Sequence, residues 1–450
     1  MAHLDFDYGY YRGDINTFNE PDGQGVLRFS NGDKYDGKFV DGFRHGKGTF
    51  IFANGEIYTG DFVDNKRTGQ GVYIWTDGSR YEGSFLNDTR TGQGTMYYSN
   101  GDKYVGNWKN DKLHGKGVFT WANGNIYEGD FLDGAHTGRG VFTWTDGARY
   151  EGDLVDGIRH GKGNMHYSDG DEYVGDWNNG NRHGKGTHTW GPNSKWAGDK
   201  YEGDWKNDKR TGQGVYTWAD GTQYEGDFVN GVRHGKGAIA WTSGDRYEGE
   251  WRNGKQTGHG VFTWNSGNRY EGDWSDGNRY GQGTMYYPLD SCKYIGNWTD
   301  DKRNGFGKLI CENGNRYEGA WLDDKRTGQG VYTWANGSRY VGGWVNNQRS
   351  GQGAMRYSNG YKYIGSWSND KHNGQGIYAW PNGDIYEGTF ADDLPDGYGA
   401  LFYSREGYFC MGYFKKGEAP DADQAYTLST KLRYRKLRKI LKSRFKSWPL

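Results

Sequence analysis

Three features are nearly missing from this 450-residue sequence, and each absence removes a class of protein. It has three cysteines (Cys292, Cys311 and Cys410), odd in number and widely spaced, so no disulfide framework or metal-ligand spacing is expected, which fits a reducing compartment. No apolar run is long enough to cross a membrane, and no signal peptide opens the chain. The start Met1-Ala2 lacks the glycine needed for myristoylation, and Ser447-Trp448-Pro449-Leu450 lacks a prenylation cysteine, so a cytoplasmic protein is expected. Net charge is also nearly absent, at −1, but it is unevenly placed. Residues 431–446 hold nine of the 56 Lys and Arg and no acid, which leaves 47 basic against 57 acidic residues elsewhere, or −10.

What is present is glycine, 79 of them, with 17% aromatics and a fixed period. Tyr201-Glu202-Gly203-Asp204-Trp205-Lys206-Asn207-Asp208-Lys209-Arg210-Thr211-Gly212-Gln213-Gly214-Val215-Tyr216-Thr217-Trp218 is followed by Ala219-Asp220-Gly221, and the phrase restarts at Tyr224. Its opening tyrosine recurs from Tyr11, Tyr35 and Tyr58 through Tyr386, 17 times in all, nearly always 23 residues apart, and Cys410-Met411-Gly412-Tyr413-Phe414 forms a worn half-copy. Such a period marks a repeat array and overrides the usual relation of length to domain number.

Within one copy, Tyr201, Gly203 and Trp205 alternate with Glu202 and Asp204, and Gly214, Tyr216 and Trp218 alternate with Gln213, Val215 and Thr217. This is the period of a half-buried strand. Asn207-Asp208-Lys209 and Ala219-Asp220-Gly221 read as turns, because Asn, Asp and Gly tolerate positive φ. Each copy therefore predicts a β-hairpin. Successive hairpins give an all-β, elongated, twisted single-layer antiparallel sheet of 34 strands, on the order of 160 Å long at about 4.8 Å per strand. Gly203 and Gly214 fall on the ring face, where a missing Cβ lets a neighbouring ring lie flat on the backbone. The face of Tyr201, Trp205, Tyr216, Trp218, Tyr224, Phe228, Tyr247 and Trp251 is then structural and lines a groove, while Glu, Asp, Gln, Thr and Lys face water.

Tyr-Glu-Gly-Asp-Trp, then Gly-x-Gly, then Asp-Gly at a 23-residue period resembles the MORN (membrane occupation and recognition nexus) repeat, over residues 11 to 414. The resemblance implies a shallow-grooved sheet and a non-catalytic role in scaffolding, assembly or membrane–cytoskeleton attachment, with ciliary, radial-spoke and cytoskeletal complexes as the setting.

The chain divides into a cap (1–10), the array (11–417), a linker (418–426) and a basic segment (427–450). Repeat one is atypical, with Ile15 in place of Trp or Phe and with Pro21. Between Tyr173 and Tyr201 the spacing rises to 28 residues through Trp190 to Lys200, either a tolerated loop or a docking loop carrying Trp190 and Trp196. The usual turn is lost at Pro288-Leu289-Asp290-Ser291-Cys292. Met96, Met165, Met285 and Met355 recur three repeats apart within each half, a duplicated block that a periodic partner could read. In the last segment Leu437, Ile440, Leu441, Phe445 and Trp448 take helical spacing beside Lys431, Arg433, Arg435, Lys436, Arg438, Lys439, Lys442, Arg444 and Lys446. This basic amphipathic helix could pack on the terminal sheet edge or a protein partner, lie on anionic lipid, or serve as a calmodulin-type or nucleic-acid tail.

Chemistry is not evident. Gly231-Val232-Arg233-His234-Gly235-Lys236-Gly237 has three residues between glycines and glycine after lysine, which fails the phosphate-loop pattern. His45, His114, His160, His183 and His234 share one repeat position and read as satisfied turn residues rather than a metal ladder. No catalytic, metal or cofactor site is expected, and an acidic array would repel nucleic acid. The expected partners are other proteins of an assembly, a second copy through the terminal edges, or an anionic membrane.

Overall fold

The structure, a computed structural model, describes residues 1–421, 439 and 443. Its 36 strands run from β1 (Ala2–Phe6) to β36 (Tyr408–Phe414), with no helical element among them. Two more strands than the array predicts come from its ends. The first residues supply β1, paired antiparallel with β2 (Gly9–Ile15), and the worn half-copy supplies β36. The basic helix expected over 427–450 falls outside the described residues, apart from Lys439 and Ser443. No described helix is long and apolar enough to cross a membrane.

The chain forms two compact units, residues 1–221 with 228–231, and residues 222–227 with the chain from Val232 on. In the first, β1 to β19 (Lys209–Thr217) form an antiparallel meander of sequence neighbours, and in the second β21 (Val232–Ala240) to β36 do the same. Each is one layer thick.

One repeat shows why the sequence folds this way. β18 (Lys200–Lys206) and β19 pair as a hairpin with Tyr201 opposite Tyr216 and Gly203 opposite Gly214. The turn residues Asn207 and Asp208 take φ of 49° and 64°, as a two-residue type I′ loop requires. The register then shifts between Gly203 and Asp204, and Gly212, at φ 54°, sits opposite that bulge. Asp204 fixes the bulge by accepting the backbone N–H of Gln213 at 3.0 Å. It is therefore partly engaged, whereas its neighbour Glu202 is exposed.

The glycine–ring inference holds in detail. Tyr201 is fully buried and its ring lies on the paired glycines, so that a Cβ on Gly203 or Gly214 would come within 2.6 Å of it. The Tyr201 hydroxyl donates to the Asp204 carbonyl at 3.0 Å. The same three-residue hydroxyl–carbonyl bond recurs at Tyr35, Tyr127, Tyr270 and Tyr363. A single-layer sheet thus obtains its core from rings folded back onto their own strands.

Two expectations fail. Cys292 and Cys311, read as unpaired, form a disulfide between directly opposed residues of β26 (Cys292–Thr299) and β27 (Lys302–Cys311). They stand 19 residues apart at the open end of one hairpin, so the register of that hairpin brings them together. The turn histidines are not all satisfied either. Nδ1 of His45, His114 and His183 is buried without a hydrogen-bond partner, and in the first two it lies 3.9 Å from Asp64 and Asp133.

Candidate interaction surface

Of the eight ring-face residues singled out in the sequence, seven are structural. Tyr201, Tyr224 and Tyr247 are fully buried, and Trp205, Tyr216, Phe228 and Trp251 are nearly so. Trp205 meets Tyr173 and Tyr201 edge to face at 5.5 and 5.2 Å, and Tyr201 meets Phe228 at 5.2 Å. In the second unit Trp251 meets Tyr224 and Tyr247 at 5.3 and 5.2 Å. Tyrosine and Trp or Phe therefore alternate in an inner spine, each contact in the geometry aromatic pairs prefer. The Trp205 indole N–H adds a bond to the Gly186 carbonyl at 3.0 Å. Burial raises the tyrosine pKa values throughout, to about 12 at Tyr35, so the spine stays neutral.

Trp218 differs. It is half-buried, and so are its counterparts Phe52, Trp75, Trp121, Trp144, Trp241, Trp264, Trp334 and Trp380. Except at Trp241, which follows Ile239, these rings lean on the second-strand aromatic two residues before them, as Trp218 does on Tyr216 at 4.7 Å and Trp264 on Phe262 at 4.5 Å. They form an outer row, which continues through the insertion. Trp190 contacts Tyr216 at 5.4 Å, whereas Trp196 is 53% exposed with the Lys195 ammonium 5.4 Å above it. The two tryptophans of the expected docking loop thus have different positions.

An arginine ladder lies between the rows. Arg90, Arg182, Arg303 and Arg349 place their guanidinium groups 4.2–4.4 Å from the rings of Trp108, Trp205, Trp321 and Trp367. Each also reaches an aspartate of the following hairpin turn, Asp111, Asp208, Asp324 and Asp370, at 2.9–3.0 Å. Burial lowers the pKa of Arg233 and Arg326, which stay charged at any physiological pH. Sequence reasoning missed this ladder. Its signal was in the recurrent Lys-Arg-Thr-Gly and Arg-His-Gly-Lys phrases, where the arginine column is separate from the rejected phosphate-loop pattern.

The opposite face is polar and carries a pairing pattern. Lys47, Lys116 and Lys185 each reach the carboxylate directly across, Asp61, Asp130 and Asp204, at 2.8 Å. Where the facing residue is Ser or Thr, glutamine replaces lysine, as in Gln70 to Ser84 and Gln375 to Thr389. The Lys116 hydrogen bond holds the Asp130 carboxyl below the usual carboxylate range. Among Gln24, Thr49, Thr59, Gln70 and Glu82 this face forms an open trough of about 880 Å³. Among the described residues no group of three His, Cys, Asp or Glu could hold a metal ion. Of the basic residues expected to contact a partner or lipid, Lys439 is exposed, and Lys431, Arg433, Arg435, Lys436, Arg438, Lys442, Arg444 and Lys446 lie outside the described residues.

Seventeen stretches, from residues 17–34 through 386–404, match the MORN repeat. No curated protein matches the chain. Among solved structures, the SAS-4 (dCPAP) TCP domain of Drosophila melanogaster in complex with a proline-rich motif of Ana2 is 16% identical, covering 35% of this chain and 85% of its own, with a TM-score of 0.24. The TCP10 domain of Danio rerio CPAP is 12% identical, covering 65% and 99%, with a TM-score of 0.17. A virginiamycin B lyase of Staphylococcus aureus is 11% identical, covering 67% and 96%, with a TM-score of 0.12. At these scores none of the three bears on function.

Proposed function

The chain belongs to the MORN-repeat family, whose members are typically scaffolds or membrane-binding proteins, and on that premise we propose that it is a non-enzymatic scaffold for protein–protein assembly in a cytoskeletal or ciliary, radial-spoke-like complex. The observation that carries this reading is the outer row. Half-exposed rings recur along the array from Phe52 to Trp380, with Arg90, Arg279 and Arg349 against Trp75, Trp264 and Trp334 and His136 against Trp121. Repeated modest contacts of this kind gain affinity through avidity. A cytoplasmic, cytoskeleton-associated or axonemal location follows from the same reading.

A second reading, a tether between membrane and cytoskeleton, is favoured by one feature, the nine Lys and Arg of residues 431–446. Clustered cations gain roughly 1 kcal/mol each at an anionic membrane surface. Detergent fractionation of tagged protein in its native cell separates the two. Compared would be the full chain, a form ending at residue 426, and a full chain with Trp218, Trp241 and Trp264 changed to Ala. Retention of the first two in the detergent-resistant pellet, with loss of the third, supports the scaffold. Release of the full chain with membrane components, and a cytosolic truncation, supports the tether and ends the scaffold reading.

A further inference from the structure

At most junctions between repeats a side chain two residues before the opening tyrosine holds the incoming turn. Asp33, Asp102, Asp199 and Asp245 accept the backbone N–H of Ala53, Ala122, Ala219 and Asn265 at 2.7–2.9 Å, each spanning 20 residues. Asn315 does the same for Ala335, and the Ser338 hydroxyl for Ser358. Residue 292 occupies this position before Tyr294, and it is cysteine. Its partner Cys311 stands where other repeats carry the outer ring, one residue before the usual N–H donor. The Glu312 N–H bonds the Ser291 carbonyl at 2.9 Å instead of a side chain. At this junction a covalent bond has replaced both the carboxylate staple and a tryptophan.

Replacing an indole by a sulfur also opens the surface. A cleft of about 460 Å³ lies against the disulfide, lined by Tyr286, Tyr287, Pro288, Lys293, Ile310 and Glu312. Both cysteines are partly exposed there, whereas the third, Cys410, is buried and has its thiol pKa raised by burial. The irregular turn Pro288-Leu289-Asp290-Ser291 borders the cleft, with Leu289 85% exposed.

We propose that Cys292–Cys311 is a thiol–disulfide exchange site and that this junction is a redox-controlled latch in the array, serviced by a dithiol reductant of the thioredoxin class. A reductant thiolate enters the cleft and attacks one sulfur. The protein S–S bond breaks, its electron pair leaves on the other cysteine, and that thiolate takes a proton from water. The reductant's second thiolate then attacks its own sulfur in the mixed disulfide, which releases the remaining cysteine and leaves the reductant oxidised to its internal disulfide. One protein disulfide becomes two thiols as two reductant thiols become one disulfide. With no Asp or Asn at position 292 to take over the staple, reduction leaves the junction with backbone bonds only. The loosening is local, because each repeat packs only on its neighbours.

The test uses the full-length protein, with free thiols blocked by alkylation at the moment of lysis. A peptide linking Cys292 to Cys311 is expected, regenerated in vitro by glutathione disulfide and removed by reduced thioredoxin. Backbone amide exchange should rise on the order of tenfold over residues 287–293 and 310–315 on reduction, and stay unchanged in distant repeats. Cys292→Asp with Cys311→Trp restores the residues other junctions use and should abolish the response to reductant. Should that variant fail to fold, Cys292→Ser with Cys311→Ser should hold exchange at the fast level under either condition. No linked peptide even after oxidation, or amide exchange in these segments that ignores reduction, overturns the proposal.

Discussion

Two stretches of the ring face are built on the same backbone and held differently. Around residues 294–367 the inner spine is continuous. Trp321 touches Tyr294 and Tyr317 at 5.4 and 5.1 Å, and Trp344 touches Tyr317 and Tyr340 at 5.5 and 5.3 Å. An arginine lies over each indole, and each indole N–H reaches a glycine carbonyl, Gly307 and Gly330, at 3.2 and 3.3 Å. Around Tyr127 and Tyr150 both features are missing. Leu154 occupies the ring position, and His136 occupies the arginine position, with Nε2 buried and unpartnered among Trp121, Tyr127 and Phe131. Yet Gly140 still pairs with Gly152 and the ladder is intact. Backbone pairing therefore does not depend on the spine, while side-chain stability does, and it varies along the array.

The largest effect should come from cutting the strong stretch. Tyr317→Ala removes a ring held between Trp321 and Trp344, and large-to-small changes in a core cost about 3–5 kcal/mol. Tyr127→Ala should cost less, because Tyr127 has a ring partner in Phe131 but only leucine at position 154. Denaturant midpoints of the two variants, with amide exchange to place the loss, make the check. Equal costs would mean that the break in the spine has no energetic meaning.

A smaller effect should depend on pH at the second repeat that replaces arginine with histidine. His372 is buried, stacked on Tyr363 at 3.8 Å, with its Nδ1 3.2 Å from Asp393 but without hydrogen-bond geometry. Burial outweighs that carboxylate and pushes the His372 pKa down to about 4. The unfolded chain protonates near 6.5. Between the two values the unfolded state binds a proton that the folded state does not, so stability is complete above about 6.5 and declines as pH falls toward 4. The loss is on the order of 2–3 kcal/mol. His372→Arg should flatten this dependence in unfolding curves taken from pH 7 to 4.5. An unchanged slope would assign the acid sensitivity to other groups.

Much of this was legible in the sequence because the period is short and every copy repeats it. The alternation of Tyr201, Gly203 and Trp205 fixes the buried face, and Asn207-Asp208 fixes the turn. What escaped reading depends on strand register. Arg182 meets the Trp205 ring one repeat on at 4.4 Å, which needs the register that pairs a second strand with the next first strand, while Cys292 meets Cys311 across its own hairpin, which needs the register of the two strands within one copy. Without that register the arginine looks solvated and the cysteines look solitary. The half-exposure of Trp218 beside the burial of Trp205 was equally hidden, since both alternate onto the same face and only the covering neighbours distinguish them.

The smallest effect is the sharpest test of the comparison, because it rebuilds the weak stretch from the strong one. Leu154→Trp alone places an indole against a neutral imidazole, with a carbonyl near Gly140 to accept its N–H, as Gly163 does for Trp177 at 3.1 Å. His136→Arg alone supplies a guanidinium over leucine, with no indole at position 154 to meet. Together they recreate the Arg159–Trp177 pair of the next repeat, where the guanidinium lies 4.4 Å from the indole. The double variant should therefore be more stable than the sum of the singles by about 0.5–1 kcal/mol, a cation–π coupling at a partly exposed site. A thermodynamic cycle with all four proteins measures it directly. Zero coupling would mean that the ladder follows the spine without strengthening it, and the difference between the two stretches would then rest on ring contacts alone.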